Sequence, residues 1–186
     1  MLTVTHRPLT YHDYYSTPEH GPRYQLVEGE LYMAPAPNRF HQEISRNLEF
    51  IFLKYLEKNP IGKIFDAPFD VQLTDVNVYQ PDLVYLKREH YSLQTKQGIT
   101  GAPDLAVEIL SPKTADLDTG IKREVFTRCG LTELWIVDPD AKRVSVYHLR
   151  KNSETPEGVY GPEDTIVTPL MPGIEVDLGE VFKDDD

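Results

Sequence analysis

The strongest periodicity along the chain follows Asn38, where His41, Ile44, Leu48, Ile51, Phe52 and Tyr55 recur at spacings of three and four. That pattern predicts an amphipathic helix over residues 41–57 with Asn38 as its N-cap. A second set, Leu117, Ile121, Val125 and Phe126, predicts a helix over residues 115–129, ended by Gly130 at a position that favours a left-handed cap. Strand-like runs fill much of the remainder. Residues 61–65, 69–73 and 82–86 follow one another closely and read as a meander, and residues 104–110 are apolar enough for a central strand. Ser111-Pro112 breaks that strand. Residues 134–137 form another buried strand, and Asp138-Pro139-Asp140 turns the chain into residues 143–149. Toward the N-terminus, Thr10 and Asp13 are spaced to cap a short helix over residues 11–16, which Pro18 and Gly21 end. Residues 24–33 read as a hairpin or bent strand stopped by Ala34-Pro35-Ala36-Pro37, and residues 87–101 as a polar loop or a poor helix. The resulting core order, αβββαβ with two amphipathic helices around a mixed sheet, predicts an α/β or α+β domain.

Composition narrows the class. With 186 residues, 40% hydrophobic and 26% charged, the chain suits one folded domain over residues 1–186 and excludes a fibrous or disordered sequence. No apolar stretch approaches the roughly 20 residues of a membrane helix, and residues 1–7 lack the apolar core of a signal peptide. The expectation is a cytoplasmic protein with no membrane partner. Cys129 is the only cysteine, so an internal disulfide or a cysteine-built zinc cluster is excluded, and any metal would be held by oxygen or imidazole. The net charge of -11 speaks against a dedicated nucleic-acid-binding domain, yet ten acidic residues and one lysine lie from residue 152 onward. An acidic tail therefore follows a nearly neutral body, which has room for a local basic face.

Two carboxylates interrupt apolar runs: Asp82 in Pro81-Asp82-Leu83-Val84 and Glu108 in Ala106-Val107-Glu108-Ile109. An ionised carboxylate is costly to bury unless it is paired, hydrogen-bonded or bound to metal. Carboxylates on neighbouring core strands can converge on a hard cation such as Mg²⁺. Lys122, one turn into the helix after Glu108, is positioned to reach the same pocket. A blander pair of readings stands beside this one: Asp82 accepting a hydrogen bond at a turn, and Glu108 facing solvent on an edge strand. No Gly-x-Ser-x-Gly elbow, phosphate-binding glycine loop or His-Glu-x-x-His pair competes, and His6, His12, His20, His90 and His148 lack ligand spacing.

Several segments together resemble the Uma2 family, catalogued as DUF820, described as "putative restriction endonuclease" and abundant in cyanobacteria. They are Tyr24-Gln25-Leu26-Val27-Glu28-Gly29-Glu30-Leu31, His41, Pro81-Asp82-Leu83-Val84, the run from Gly101 to Pro112, Lys122, Leu134-Trp135-Ile136-Val137-Asp138-Pro139, and Pro172-Gly173-Ile174-Glu175-Val176-Asp177-Leu178. The likeness spans about residues 10–182. It implies the restriction endonuclease-like αβββαβ fold of the PD-(D/E)XK superfamily, a mixed sheet flanked by helices, and Mg²⁺- or Mn²⁺-dependent hydrolysis of DNA. It further implies that Asp82, Glu108 and the backbone carbonyl of Ile109 bind the metal and that Lys122 orients or activates water. The usual lysine position of that motif, two residues after the second acid, is Leu110 here, so Lys122 on the next helix takes its place. Relatives often carry Glu where Gln25 stands; Glu28 and Glu30 are candidates to compensate, and His41 to contact phosphate or orient the site.

An alternative from a different class is a catalytically silent nuclease-like domain that binds a protein or nucleic-acid partner, favoured by the low basic charge and Gln25. Cutting both strands of a duplex from one site per chain calls for a homodimer, for which Tyr11, Tyr14 and Tyr15 offer a surface unless they pack within the chain.

Overall fold

The computed structural model describes residues 7–17, 23–34, 36–112 and 114–183. Its first helix, α1 (Tyr11–Tyr15), begins where the Asp13 carboxylate accepts from the Thr10 backbone N–H at 2.8 Å and the Thr10 hydroxyl at 2.9 Å. Pro18 and Gly21, expected to end it, lie outside the described residues, as do Pro35 and Met1 to His6. Strands β1 (Tyr24–Val27) and β2 (Glu30–Met33) form the hairpin, with Glu28 and Gly29 at φ 48° and 81° in the tight turn. Helix α2 (Arg39–Lys58) starts where the Asn38 side chain accepts from the His41 backbone N–H, and it buries Ile44, Leu48, Phe52 and Leu56 along one face.

The strands then divide between two sheets. β3 (Gly62–Asp66), β4 (Asp70–Thr74), β5 (Asn77–Tyr79) and β6 (Leu83–Lys87) follow in sequence, but only β3 and β6 pair with each other. β4 and β5 close a separate hairpin. This corrects the expected meander: residues 69–73 leave the main sheet because the Asp75-Val76 turn lets β4 pair with β5 locally, at little loop-closure cost. The polar residues 87–101 form a 3₁₀ helix (Arg88–Leu93) and the short strand β7 (Gly98–Thr100), which runs parallel to β4. Gly98 permits that approach, since a Cβ there would lie 1.9 Å from the Asp70 carbonyl oxygen.

β8 (Leu105–Ile109) is followed by α3 (Ala115–Thr119), α4 (Ile121–Arg128) and β9 (Glu133–Asp138). The single helix expected over residues 115–129 is thus two, broken at Gly120, where a Cβ would come within 2.7 Å of the Asp116 carbonyl oxygen. Gly130 takes φ 88° at the expected cap. β10 (Arg143–His148), β11 (Gly158–Tyr160), β12 (Thr165–Ile166), β13 (Val176–Asp177) and α5 (Leu178–Val181) complete the chain.

The main sheet has the order β11-β10-β9-β8-β6-β3, and the second sheet β2-β1-β5-β4-β7. In the main sheet only β8 and β9 are parallel; α3 and α4 make the crossover a parallel pair requires. The elements α2, β3, β6, β8, α4 and β9 therefore realise αβββαβ, with β3 and β6 of the expected meander retained and β8 as the third strand in place of β4. Alternation along β6 shows how the layers stack. Leu83 and Tyr85 join the core with α2, whereas Val84 and Leu86 pack against Val71 and Ile99 of the second sheet. Both faces of β8 are buried, so Glu108 lies on a central strand and not on an edge.

The acidic C-terminal segment is part of the packed fold. Its apolar residues, among them Ile166, Met171, Val176, Leu178 and Val181, are buried against α2 and the main sheet, while the acids between them, and Val167, face water. Tyr14 is buried with Leu26 and Val78, its hydroxyl donating to Asp70 at 2.9 Å, and Tyr11 packs in the same cluster. Tyr11 and Tyr14 therefore pack within the chain onto β1 and β5, and of the three Tyr15 is the exposed one.

Candidate metal and active site

Register brings the two acids together. Leu83 pairs with Val107, so Asp82, one residue before β6, lies across from Glu108 at the end of β8. Both line a cleft of about 960 Å³ together with His41, Gln25, Ile109 and Asp118. Asp82 Oδ2 accepts the Ile109 backbone N–H at 2.7 Å, so the turn-type hydrogen bond is present, but Oδ1 remains outside it, 3.4 Å from His41 Nε2. His41 Nε2 lies 3.1 Å from the Ile109 carbonyl oxygen. A carbonyl only accepts, so His41 carries its proton on Nε2. Burial pushes the imidazole pKa down, but Asp82 and the Ile109 carbonyl more than offset it, and the net shift is upward.

Glu108 and Lys122 meet behind this end of the sheet. Lys122 has no exposed surface; its Nζ is 2.7 Å from Asp118 Oδ1, 2.6 Å from Glu108 Oε1 and 5.4 Å from the centre of the Tyr79 ring. The ammonium thus sits between two buried carboxylates, and Glu108 Oε1 has it as its ion-pair partner. Burial raises its pKa; Lys122 pulls it back, and Asp118 and Asp82 push it up further. Burial works against the Lys122 ammonium, but Glu108 and Asp118 more than offset it and hold its pKa above the ordinary range.

The donor set fits a hard divalent ion. Asp82 Oδ1, the Glu108 carboxylate and the Ile109 carbonyl are all oxygens, the ligand type Mg²⁺ and Mn²⁺ take. Among the described residues no group of three His, Cys, Asp or Glu side chains is set to hold an ion alone. That suits an ion that keeps several waters and completes its shell with substrate phosphate.

The other candidates separate. Gln25 is buried at the cleft wall, its Oε1 accepting the Gln80 backbone N–H at 3.1 Å. Glu28, in the hairpin turn, pairs with Arg128 and accepts from Asn77, and Glu30 accepts from the Tyr32 hydroxyl; neither lines the cleft. His90 is bound to Asp104, and His148 lies between Glu133 and Glu157. Asp118 is the residue that sequence reasoning missed. Its signal was present as an acid four residues before Lys122, but that spacing on an exposed helix ordinarily marks a weak surface pair.

Residues 10–179 match the Uma2 family, described as "Putative restriction endonuclease". A crystal structure from Anabaena variabilis, entitled a "putative nuclease belonging to DUF820", has the same fold with TM-score 0.77 at 21% identity. The similarity covers 94% of this chain and 98% of that one. No curated protein matches. Among the described residues no helix is long and apolar enough to cross a membrane. With the family matched over nearly its whole length, and the αβββαβ core in place around Asp82 and Glu108, this chain belongs to the Uma2 family.

Proposed function

We propose that this chain is a Mg²⁺- or Mn²⁺-dependent endonuclease that hydrolyses DNA phosphodiester bonds in the cleft at the end of β8. The observation that carries the reading is the buried Glu108 carboxylate across the strand pair from Asp82, both lining one cleft. Asp82, Glu108 and the Ile109 carbonyl would hold the ion, which when bound polarises the phosphate and acidifies a water. The chain's own groups do the rest. Asp82 braces the end of β8 through the Ile109 N–H, and His41 steadies the Ile109 carbonyl from α2. Lys122, wholly buried, acts through Glu108 by holding its carboxylate in place. Family membership supports the substrate class, and plasmid nicking tests it: supercoiled DNA is relaxed with Mg²⁺ or Mn²⁺ and left intact with EDTA.

The burial of Lys122 away from the cleft favours the alternative of a silent nuclease-like domain. Calorimetry separates the two. Loss of that alternative follows from Mn²⁺ binding together with nicking; binding of DNA without metal binding at millimolar Mn²⁺ would establish it.

Arg23 and Arg46 stand on the cleft wall, where they would take DNA phosphates. Replacing both by Ala is expected to weaken DNA binding across sequences and to lower the salt slope by about one per lost contact. An unchanged slope in a fluorescence titration would remove them from the interface. Cutting of both strands further calls for two clefts related by a two-fold axis. Sedimentation of the 21.3 kDa chain at micromolar concentration reads this directly: twice that mass accompanies paired cleavage, and the monomer mass restricts the activity to nicking.

A further inference from the structure

We infer that Asp118 is a positioning residue that divides the charge of Lys122 and so keeps Glu108 available to a divalent cation; the inference rests on the metal-site reading above. Its first support is sharing. The Lys122 ammonium lies 2.7 Å from Asp118 Oδ1 and 2.6 Å from Glu108 Oε1, so one buried cation serves two buried carboxylates. A lysine with Glu108 as its sole acidic partner would give that carboxylate its whole charge. Asp118 takes part of it from the other side.

The second support is placement. Asp118 and Lys122 are four residues apart but belong to α3 and α4, on either side of the break at Gly120. Exposed pairs at this spacing contribute little. Here Lys122 is fully buried and Asp118 is 4% exposed, and Asp118 lines the cleft that Asp82 and Glu108 share. The third support is competition. Without Asp118, Lys122 would face Glu108 as its sole close acid and compete with a divalent ion for it.

Titration calorimetry with Mn²⁺ tests this independently of cleavage. Asp118→Asn, which keeps the shape and loses the charge, is expected to bind Mn²⁺ at least about tenfold more weakly than wild type. Lys122→Met is expected to bind it at least about tenfold more tightly. The double variant Asp118→Asn/Lys122→Met restores the wild-type charge balance and is expected to restore wild-type affinity. The double variant also guards against misfolding of either single one, because removing both partners of a buried ion pair is tolerated better than removing one. Wild-type affinity in Asp118→Asn, or a double variant no better than Asp118→Asn, would assign Asp118 a structural role and overturn the inference. Should wild type itself bind no Mn²⁺, the metal-site reading falls and this inference with it.

Discussion

Asp82→Ala and Glu108→Ala are each expected to lower Mg²⁺-dependent plasmid nicking by at least about a thousandfold. An ion acting on phosphate contributes several kcal/mol to the transition state, and each 1.36 kcal/mol is a factor of about ten in rate. Changes at both sites should also lower stability. Asp82 accepts the Ile109 backbone N–H, so Asp82→Ala strips a buried donor of its partner and destabilises the end of β8 by about 1–3 kcal/mol. Glu108 is a buried carboxylate 2.6 Å from the Lys122 ammonium, so Glu108→Gln removes one partner of a buried ion pair and is expected to lower the thermal midpoint while abolishing activity. Nicking at the wild-type rate by all variants would identify a contaminating nuclease and remove both acids from the mechanism.

Lys122→Met is expected to destabilise the protein by about 3–5 kcal/mol near neutral pH and above, because it leaves Glu108 and Asp118 buried without their cation. The pH dependence has a definite sign. Burial already holds the wild-type Glu108 carboxyl above its ordinary value, up to about 8. A group raised in the folded state contributes stability that is present below its unfolded pKa of about 4.5 and lost as pH rises through the folded value. Without Lys122 the main influence lowering that pKa disappears, so the folded value rises further and the loss of stability continues to higher pH. Urea unfolding of wild type and Lys122→Met should therefore show a gap that is flat from about pH 6 to about pH 7 and widens above about pH 8. A gap independent of pH would mean that Lys122 contributes through packing of its aliphatic stem and not through charge.

Local chemistry made much of the frame legible. The three- and four-residue spacing after Asn38 yields α2 with its expected cap and buried face, since periodicity and capping act within a few residues. The apolar run containing Glu108 became the doubly buried β8, and Gly130 the left-handed cap, for the same reason. Family resemblance, carried by motifs spread from Tyr24 to Leu178, agreed with that order of elements and named Asp82, Glu108 and Lys122 as the residues to examine.

What the tertiary structure alone decided depends on long-range pairing. Residues 61–65, 69–73 and 82–86 have similar strand-like character, yet β4 left the main sheet for a hairpin with β5 while β3 and β6 paired across the gap. The short Asp75-Val76 turn favours the β4-β5 hairpin locally, but which layer each run joins rests on long-range packing, with Val71 buried against Val84 and Leu86. The apolar residues of the acidic C-terminal segment likewise acquired meaning only when α2 offered them a face. Asp118 belongs to the same class: as text it is an acid on an expected surface helix, and only the break at Gly120 and the burial of Lys122 make it a partner of Glu108. By itself the sequence determined which residues carry the charge. Strand register and layer packing decided which charges share one desolvated space, and there the lower dielectric strengthens their interaction.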